Sequence, residues 1–318
     1  MQDVIKEIIA RRLGKILVNE KISNYTTYKV GGKARAIVYP KGELELIELI
    51  KLLTSKNIKY FVLGNGSNVL FSDSLYDGII IKLDNFNKLE IKDDTVYVEA
   101  GYPLIKLSNE VIKRGLSGLE FVNGIPGTVG GAIFMNAGAY GEEMSGIVTS
   151  VRILTSDLQI IELTNEEMEF TYRTSYLQKH LDYICLSATL KLTPGNIEEM
   201  QELVVKRRMA RRDSQPLAFP SAGSVFRNPE GMYAGKLIED MGLKGFTIGK
   251  ASVSTKHANF IVNNGNAKAS DIKRIIDVIK SKAKLKYNIT LRVEQRLINW
   301  VGVNIEEEEE ENKEEETN

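Results

Sequence analysis

Residues 124–141 read GIPGTVGGAIFMNAGAYG: six of the eighteen are glycine, three are alanine and none is charged. The run is too apolar for a flexible linker. Glycine at this density also disfavours a helix or a central strand, because it loses more backbone freedom on ordering than any other residue. Three readings stand open: a tight packing junction, a loop that touches a membrane, or a backbone cradle for a large ligand. In the third, a flat or extended ligand lies directly against the main chain. Gly124, Gly127, Thr128, Gly130 and Gly131 then offer N–H donors, Pro126 stiffens the entry, and Ile125, Ile133 and Met135 supply an apolar wall.

Around this run the chain alternates strand and helix patterns. ARAIVYP and DGIIIKLD read as strands, and GELELIELIKLLTSKN reads as a helix with Leu44, Ile47, Ile50 and Leu53 on its apolar spacing. TVYVEAG alternates, PLIKLSNEVIKRG is a helix ended by Gly115, and SVRILTS, QIIELT and ICLSATLKL follow as strands. Asn196 and Glu199 stand at capping-box spacing before NIEEMQELVVKRRMARR, and the prolines of QPLAFP then mark a boundary. A helix from Asp271 to Lys284 is expected, with Ser270 as N-cap and Ile272, Ile275, Ile276 and Ile279 on one face. ITLRVEQRLINW reads as a last strand.

Composition bounds the chemistry. The 318 residues are 43% hydrophobic and 26% charged, as in an ordinary soluble protein, and no apolar stretch reaches the length of a membrane span. The N-terminus has no signal-peptide core, so a cytoplasmic location is expected. The 42 basic and 42 acidic residues balance only because residues 306–316 hold nine glutamates and one lysine; without them 41 stand against 33, a net +8. A positive body suits an anionic ligand, and the acidic tail (304–318) is expected to be disordered. A single cysteine, Cys185 in an alternating stretch, excludes an intramolecular disulfide, and two histidines give no basis for a metal site. The chemistry must then come from another source, such as an organic cofactor.

Four further stretches carry polar groups with two readings each. LGNGSN (63–68) follows a strand, and Gly64, Gly66, Ser67 and Asn68 make either a plain turn or an anion-binding nest of N–H groups; it is neither a Rossmann fingerprint nor a P-loop. Arg173, in FTYRTSYL, is a structural arginine or one that polarises a carboxylate or enolate. Ser224, in SAGSVFRNP, has no nucleophile elbow around it, but its hydroxyl suits protonation of a strongly basic carbanion. Glu294, in LRVEQRL, is by default the partner of a nearby arginine.

Taken in order, NYTTYKVGGKA (24–34), LGNGSN, GLEFVNGIPGTVGGAIFMNAGAYG (118–141), YRTS (172–175), QP (215–216), SAGSVFRNP (221–229), AGKLIEDMGLKG (234–245), STKHANFIVN (254–263) and VEQR (293–296) resemble the UDP-N-acetylenolpyruvoylglucosamine reductases, over nearly the whole chain except the tail. The resemblance implies an α+β chain with a vanillyl-alcohol-oxidase (PCMH)-type FAD-binding fold. Its FAD-binding subdomains would be 1–85, completed by the last strand at 290–303, and 86–213, with a substrate-binding domain at 214–289. It implies non-covalent FAD held by Gly64, Gly66, Ser67, Asn68, Gly124, Ile125, Gly127, Thr128, Gly130, Gly131 and Ala137, and NADPH as hydride donor to FAD. Reduced flavin passes hydride to the enolpyruvyl group of UDP-N-acetylglucosamine enolpyruvate, giving UDP-N-acetylmuramate for peptidoglycan. By the same likeness Arg173 binds and polarises the substrate carboxylate, Ser224 donates the proton and Glu294 assists, while Gln215 and Asn228 contact substrate.

The chain departs from the pattern at Arg292-Val293, where the family has Glu-Pro, and at Arg227, where it commonly has lysine. It lacks the tyrosine-loop insertion and so resembles the compact branch. A monomer without nucleic-acid or membrane partners is expected. The rival readings are an FAD-dependent alcohol or lactone oxidase of the same fold, a non-catalytic nucleotide-sugar binding protein and a membrane-associated scaffold. KVGGKA carries no histidine for covalent flavin. A bulky residue at Gly130 or Gly131 is expected to cost flavin before it costs fold.

Overall fold

The computed structural model describes residues 1–301, so the acidic tail lies outside the described residues. The chain forms two compact units, one from Met1–Glu20, Ala34–Asn65 and Asp77–Ser214, the other from Lys21–Lys33, Gly66–Tyr76 and the chain from Gln215 onward. Residues 21–33 and 66–76, which fall within the expected 1–85 subdomain, therefore cluster with the C-terminal residues.

In the first unit, Lys15–Val18, Ala34–Tyr39, Tyr76–Ile81 and Tyr60–Val62 lie side by side in that order in a four-stranded sheet. A second, five-stranded antiparallel sheet runs Ile160–Thr164, Val148–Leu154, Ile184–Lys191, Thr95–Glu99, Leu89–Lys92. The helix Glu43–Ser55 buries Leu46, Leu49, Ile50, Leu52 and Leu53, whereas Leu44 is 79% exposed. Its buried face is thus turned from the expected one: positions 46, 49, 50 and 53 satisfy the helical period, and Leu44 falls outside that stripe. The helix Leu104–Ile112 packs Leu104, Leu107 and Val111 inward, and Gly115 beyond it takes φ +71°, a left-handed stop. Asn196 Oδ1 accepts the Glu199 N–H at 3.2 Å, capping the helix Ile197–Ser214.

In the second unit, the helix Ala269–Tyr287 lays Ile272, Ile275, Ile276 and Ile279 into the core, where each fully buried isoleucine contributes about 1.5–3 kcal/mol. Ser270 is not its cap. The helix starts two residues earlier than expected, at Ala269, and its first amides are met by Asp73, whose carboxylate accepts from Ala269 N at 2.8 Å and Ser270 N at 2.9 Å. A charged acceptor at the positive end of the helix outcompetes a local hydroxyl. Thr247–Ile248, Ala251–Val253 and Ile261–Asn263 form an antiparallel sheet. The expected last strand shortens to Arg296–Ile298, which pairs in parallel with Val69–Phe71.

Candidate active site

The glycine run is not all loop. After a 3₁₀ turn at Glu120–Gly124, residues Val129–Phe134 form a short helix, contrary to what the glycine content suggests. Thr128 caps it, its Oγ1 accepting the Gly131 N–H at 3.3 Å. Gly130 explains the composition: a β-carbon there would stand 2.9 Å from Ala100 Cβ and 3.2 Å from the Ala100 carbonyl oxygen. Its N–H donates to that same carbonyl at 2.8 Å. Two of the proposed donors are likewise engaged within the chain, Gly127 N–H with Ile125 O and Gly131 N–H with Thr128. Gly130 therefore gives clearance for backbone packing, so a side chain there strikes the fold first. Gly131 is open, with only Thr128 Oγ1 at 3.5 Å from a β-carbon.

The run ends in a two-residue hairpin. Gly138–Ala139 pairs with Glu142–Glu143, and Tyr140 and Gly141 both take positive φ, the signature of a type I′ turn. Arg173 reaches this hairpin, its Nη2 donating to Gly138 O at 2.8 Å, and its guanidinium stacks on Tyr172 at 4.9 Å. Arg173 itself holds φ +58°, which for a non-glycine residue costs of the order of 1 kcal/mol or more. The surrounding bonds fix it there: Thr171 and Thr174 exchange backbone bonds, and Gln178 Nε2 donates to Arg173 O at 2.9 Å.

LGNGSN crosses from the first unit to the second between Asn65 and Gly66. On the first side, Gly64 rests on Thr128, where a β-carbon would come within 2.8 Å of Oγ1, and Asn65 Nδ2 donates to Pro126 O at 3.3 Å. Under Gly64 lies Lys82, its side chain 7% exposed, its Nζ donating to Gly64 O at 2.6 Å and pairing with Asp84 at 3.1 Å. On the second side, Gly66 takes φ +63°, and a β-carbon would be 2.3 Å from Tyr25 O, so no other residue fits. A buried ammonium beneath small-residue loops suits the pyrophosphate of a dinucleotide, and in that chemistry the first unit fits FAD.

In the second unit, Ser224 follows Gly223, at φ +75°, in a turn gripped from below by Gln295. The Gln295 Nε2 group faces three successive carbonyls, Ala222 O at 3.1 Å and Gly223 O and Ser224 O at 3.4 Å each. Its Oε1 accepts from Tyr28 OH at 3.0 Å, and both residues are buried. Burial pushes the Tyr28 phenol well above its usual range, so it stays a donor. Glu294 N–H donates to Val225 O at 2.8 Å, and the Glu294 carbonyl accepts from Asn68 Nδ2 at 3.1 Å. Asn259 holds the other edge: its carbonyl accepts from Val225 N at 2.8 Å and its side chain bonds both Phe226 N and Phe226 O. Asn228 Oδ1 accepts from Ala234 N at 3.0 Å, and Gln215 Oε1 is buried with no hydrogen bond among the described residues.

Gly64 and Thr128 are thus brought into contact in the first unit, and Arg173 joins the end of the same run. Ser224, Glu294 and Asn68 share one backbone network in the second. Sequence reading missed Lys82, Tyr28 and Gln295 as supports. Lys82 had a signal, a lone lysine closing the apolar strand DGIII. Tyr28 and Gln295 lie inside two of the quoted stretches, NYTTYKVGGKA and VEQR, but nothing local pairs them across 267 residues of chain. Cys185 is buried, which pushes its thiol up to about 12 and keeps it out of the chemistry.

Residues 34–164 match the family profile described as an FAD binding domain, and residues 215–298 that of the UDP-N-acetylenolpyruvoylglucosamine reductase C-terminal domain. The chain is 46% identical over 299 residues to the UDP-N-acetylenolpyruvoylglucosamine reductase of Anoxybacillus flavithermus, covering 94% of this chain and 99% of that one. To the enzyme of that name from Bacillus subtilis it is 42% identical over the same shares of both chains. The crystal structure of the Thermus caldophilus reductase superposes with a TM-score of 0.77 at 34% identity, covering 89% of this chain and 98% of that one.

Proposed function

The chain belongs to the UDP-N-acetylenolpyruvoylglucosamine reductase family, and from that premise we propose how its residues divide the work. Its fold is α+β, of the vanillyl-alcohol-oxidase type that binds FAD. It is an FAD-dependent oxidoreductase that reduces UDP-N-acetylglucosamine enolpyruvate to UDP-N-acetylmuramate with NADPH, in peptidoglycan precursor synthesis. FAD supplies the hydride carrier between NADPH and the enolpyruvyl double bond.

Residues 1–85, completed by the last strand at 290–303, and 86–213 serve as the FAD-binding subdomains and 214–289 as the substrate domain. FAD is held non-covalently by the 64–68 loop and the 124–137 run. Arg173 binds the substrate carboxylate and stabilises the negative charge that spreads into it after hydride arrives. Its fixed φ and its bond to Gly138 hold the guanidinium in one pose before substrate binds. Ser224 donates its Oγ proton to the carbanion carbon; a hydroxyl is a weak acid, which suits so basic a partner. Glu294 assists that proton delivery. The amide nitrogen of Asn228 meets the substrate pyrophosphate, and the unpartnered buried oxygen of Gln215 supports its substrate-contacting role. The protein works as a cytoplasmic monomer; no described helix is long and apolar enough to cross a membrane.

The observation that carries the Ser224 assignment is the grip of Gln295, which fixes the backbone of the turn through its carbonyls and leaves the hydroxyl out of that grip. Stopped-flow measurement of the two half-reactions tests it. Ser224→Ala should reduce flavin with NADPH at close to the normal rate and lose about 10²–10⁴-fold in the step with the enolpyruvyl substrate. Equal losses in both steps would refute the proton-donor role.

A further inference from the structure

Lys82 is an unusual residue to bury. It follows the strand Tyr76–Ile81, its backbone N–H donates to Val38 O at 2.9 Å, and its side chain is 7% exposed. An ammonium in such surroundings needs partners that offset its lost hydration. It has the half-exposed carboxylate of Asp84 at 3.1 Å and the carbonyl of Gly64 at 2.6 Å. A leucine or methionine would fill the same volume without that desolvation cost. The bond to Gly64 is therefore where a specific use of the charge is to be sought.

Resting on the FAD reading above, we propose that Lys82 is the positioning residue of the pyrophosphate-binding loop. A trans peptide unit carries its C=O and N–H in opposite directions. Drawing the Gly64 carbonyl onto the buried ammonium turns the Asn65 N–H of that peptide away from Lys82, toward the outer side of the loop. The loop is steadied in that pose from its other flank, by Gly64 against Thr128 and by Asn65 Nδ2 on Pro126 O. The positive charge beneath also favours an anion above, acting through a low-dielectric layer where screening by salt is weak. One lysine thus sets both the direction of a donor and the sign of the local potential, without touching the ligand.

The test compares FAD with riboflavin, which carries the same ring system without the pyrophosphate. Apoprotein is titrated with each, following the quenching of flavin fluorescence, for the wild type and for Lys82→Met, Lys82→Gln and Asp84→Asn. Lys82→Met should weaken FAD binding at least about tenfold and leave riboflavin binding within about twofold. Lys82→Gln, which keeps a donor for Gly64 but no charge, should recover part of the loss. Asp84→Asn, which leaves the Gly64 bond in place and removes the carboxylate that offsets the ammonium, should bind FAD at least as tightly as wild type. Equal weakening of FAD and riboflavin by Lys82→Met, or by Lys82→Gln if the methionine variant does not fold, would mark a merely structural lysine and overturn the proposal. Unchanged FAD affinity in either variant would overturn it as well. Wild-type protein that takes no FAD would refute the cofactor reading itself, and this inference with it.

Discussion

Replacing Gln295 by leucine tests the support of the Ser224 turn. The side chain is 3% exposed and keeps its volume in leucine, so packing changes little while two buried partners lose their bonds. Tyr28 OH, wholly buried, loses its acceptor at 3.0 Å, and Ala222 O loses its donor at 3.1 Å. At about 1–3 kcal/mol for each buried group left unsatisfied, the loss is about 2–6 kcal/mol. Tyr28→Phe strands only Gln295 Oε1 and should cost about 1–3 kcal/mol. The double variant should fall short of the sum by about 1 kcal/mol or more, because the second change removes a group already orphaned by the first. Urea unfolding followed by Trp300 reads this directly: it is the single tryptophan, and its indole N–H donates to Leu70 O in the same unit. The same variants should slow flavin reoxidation by the enolpyruvyl substrate more than flavin reduction by NADPH. A Tyr28→Phe variant as stable as wild type, or strict additivity in the double variant, would refute the coupling of Tyr28 to the turn through Gln295.

Gly130→Ala should destabilise the protein by about 1–3 kcal/mol through its collision with Ala100, whereas Gly131→Ala should leave the melting temperature unchanged or slightly raised; thermal unfolding of both separates the two glycines. His257 is held below its usual value of 6.5 by burial first and by Lys244 second, and its Nδ1 accepts the Asn259 N–H at 3.2 Å. The neutral ring is thus the folded form. Its stabilising contribution is present above pH 6.5, and lost as pH falls below that toward the depressed folded value. Urea midpoints of wild type and His257→Gln should converge on acidification, and a gap that widens would reverse the assignment. Cys185 should resist thiol reagents at mildly alkaline pH in the folded protein and react fully once urea unfolds it.

What the sequence disclosed was local. The stripe Ile272, Ile275, Ile276, Ile279 announced its helix, and alternation announced Thr95–Glu99 and the Cys185 strand of the five-stranded sheet, because each pattern needs only its own element; the short edge strand Leu89–Lys92 went unread. Asp73 capping a helix 196 residues away leaves no such trace. The helix inside the glycine run was hidden for a related reason: Gly130 is there to admit Ala100, a neighbour that composition does not reveal. In the site, Arg173, Ser224 and Glu294 stood out only through the resemblance to a family, since each has an ordinary structural reading by itself. The lock of Gln295 and Tyr28 needed the fold.

The interleaved course of the second unit bears on how the chain is made. Synthesis delivers Lys21–Lys33 and Gly66–Tyr76 early, but the strand Arg296–Ile298 that pairs with Val69–Phe71, and the helix that Asp73 caps, leave the ribosome near the end. At about 5–20 residues per second the early segments wait on the order of ten to forty seconds for their partners. Throughout that interval Val69–Phe71, apolar and buried in the finished fold, has an unmatched edge. The first unit, by contrast, has its last residue at Ser214 and can close while translation continues. Nascent chains stalled before residue 296 should therefore carry a protease-resistant first unit and a second unit that recruits chaperones.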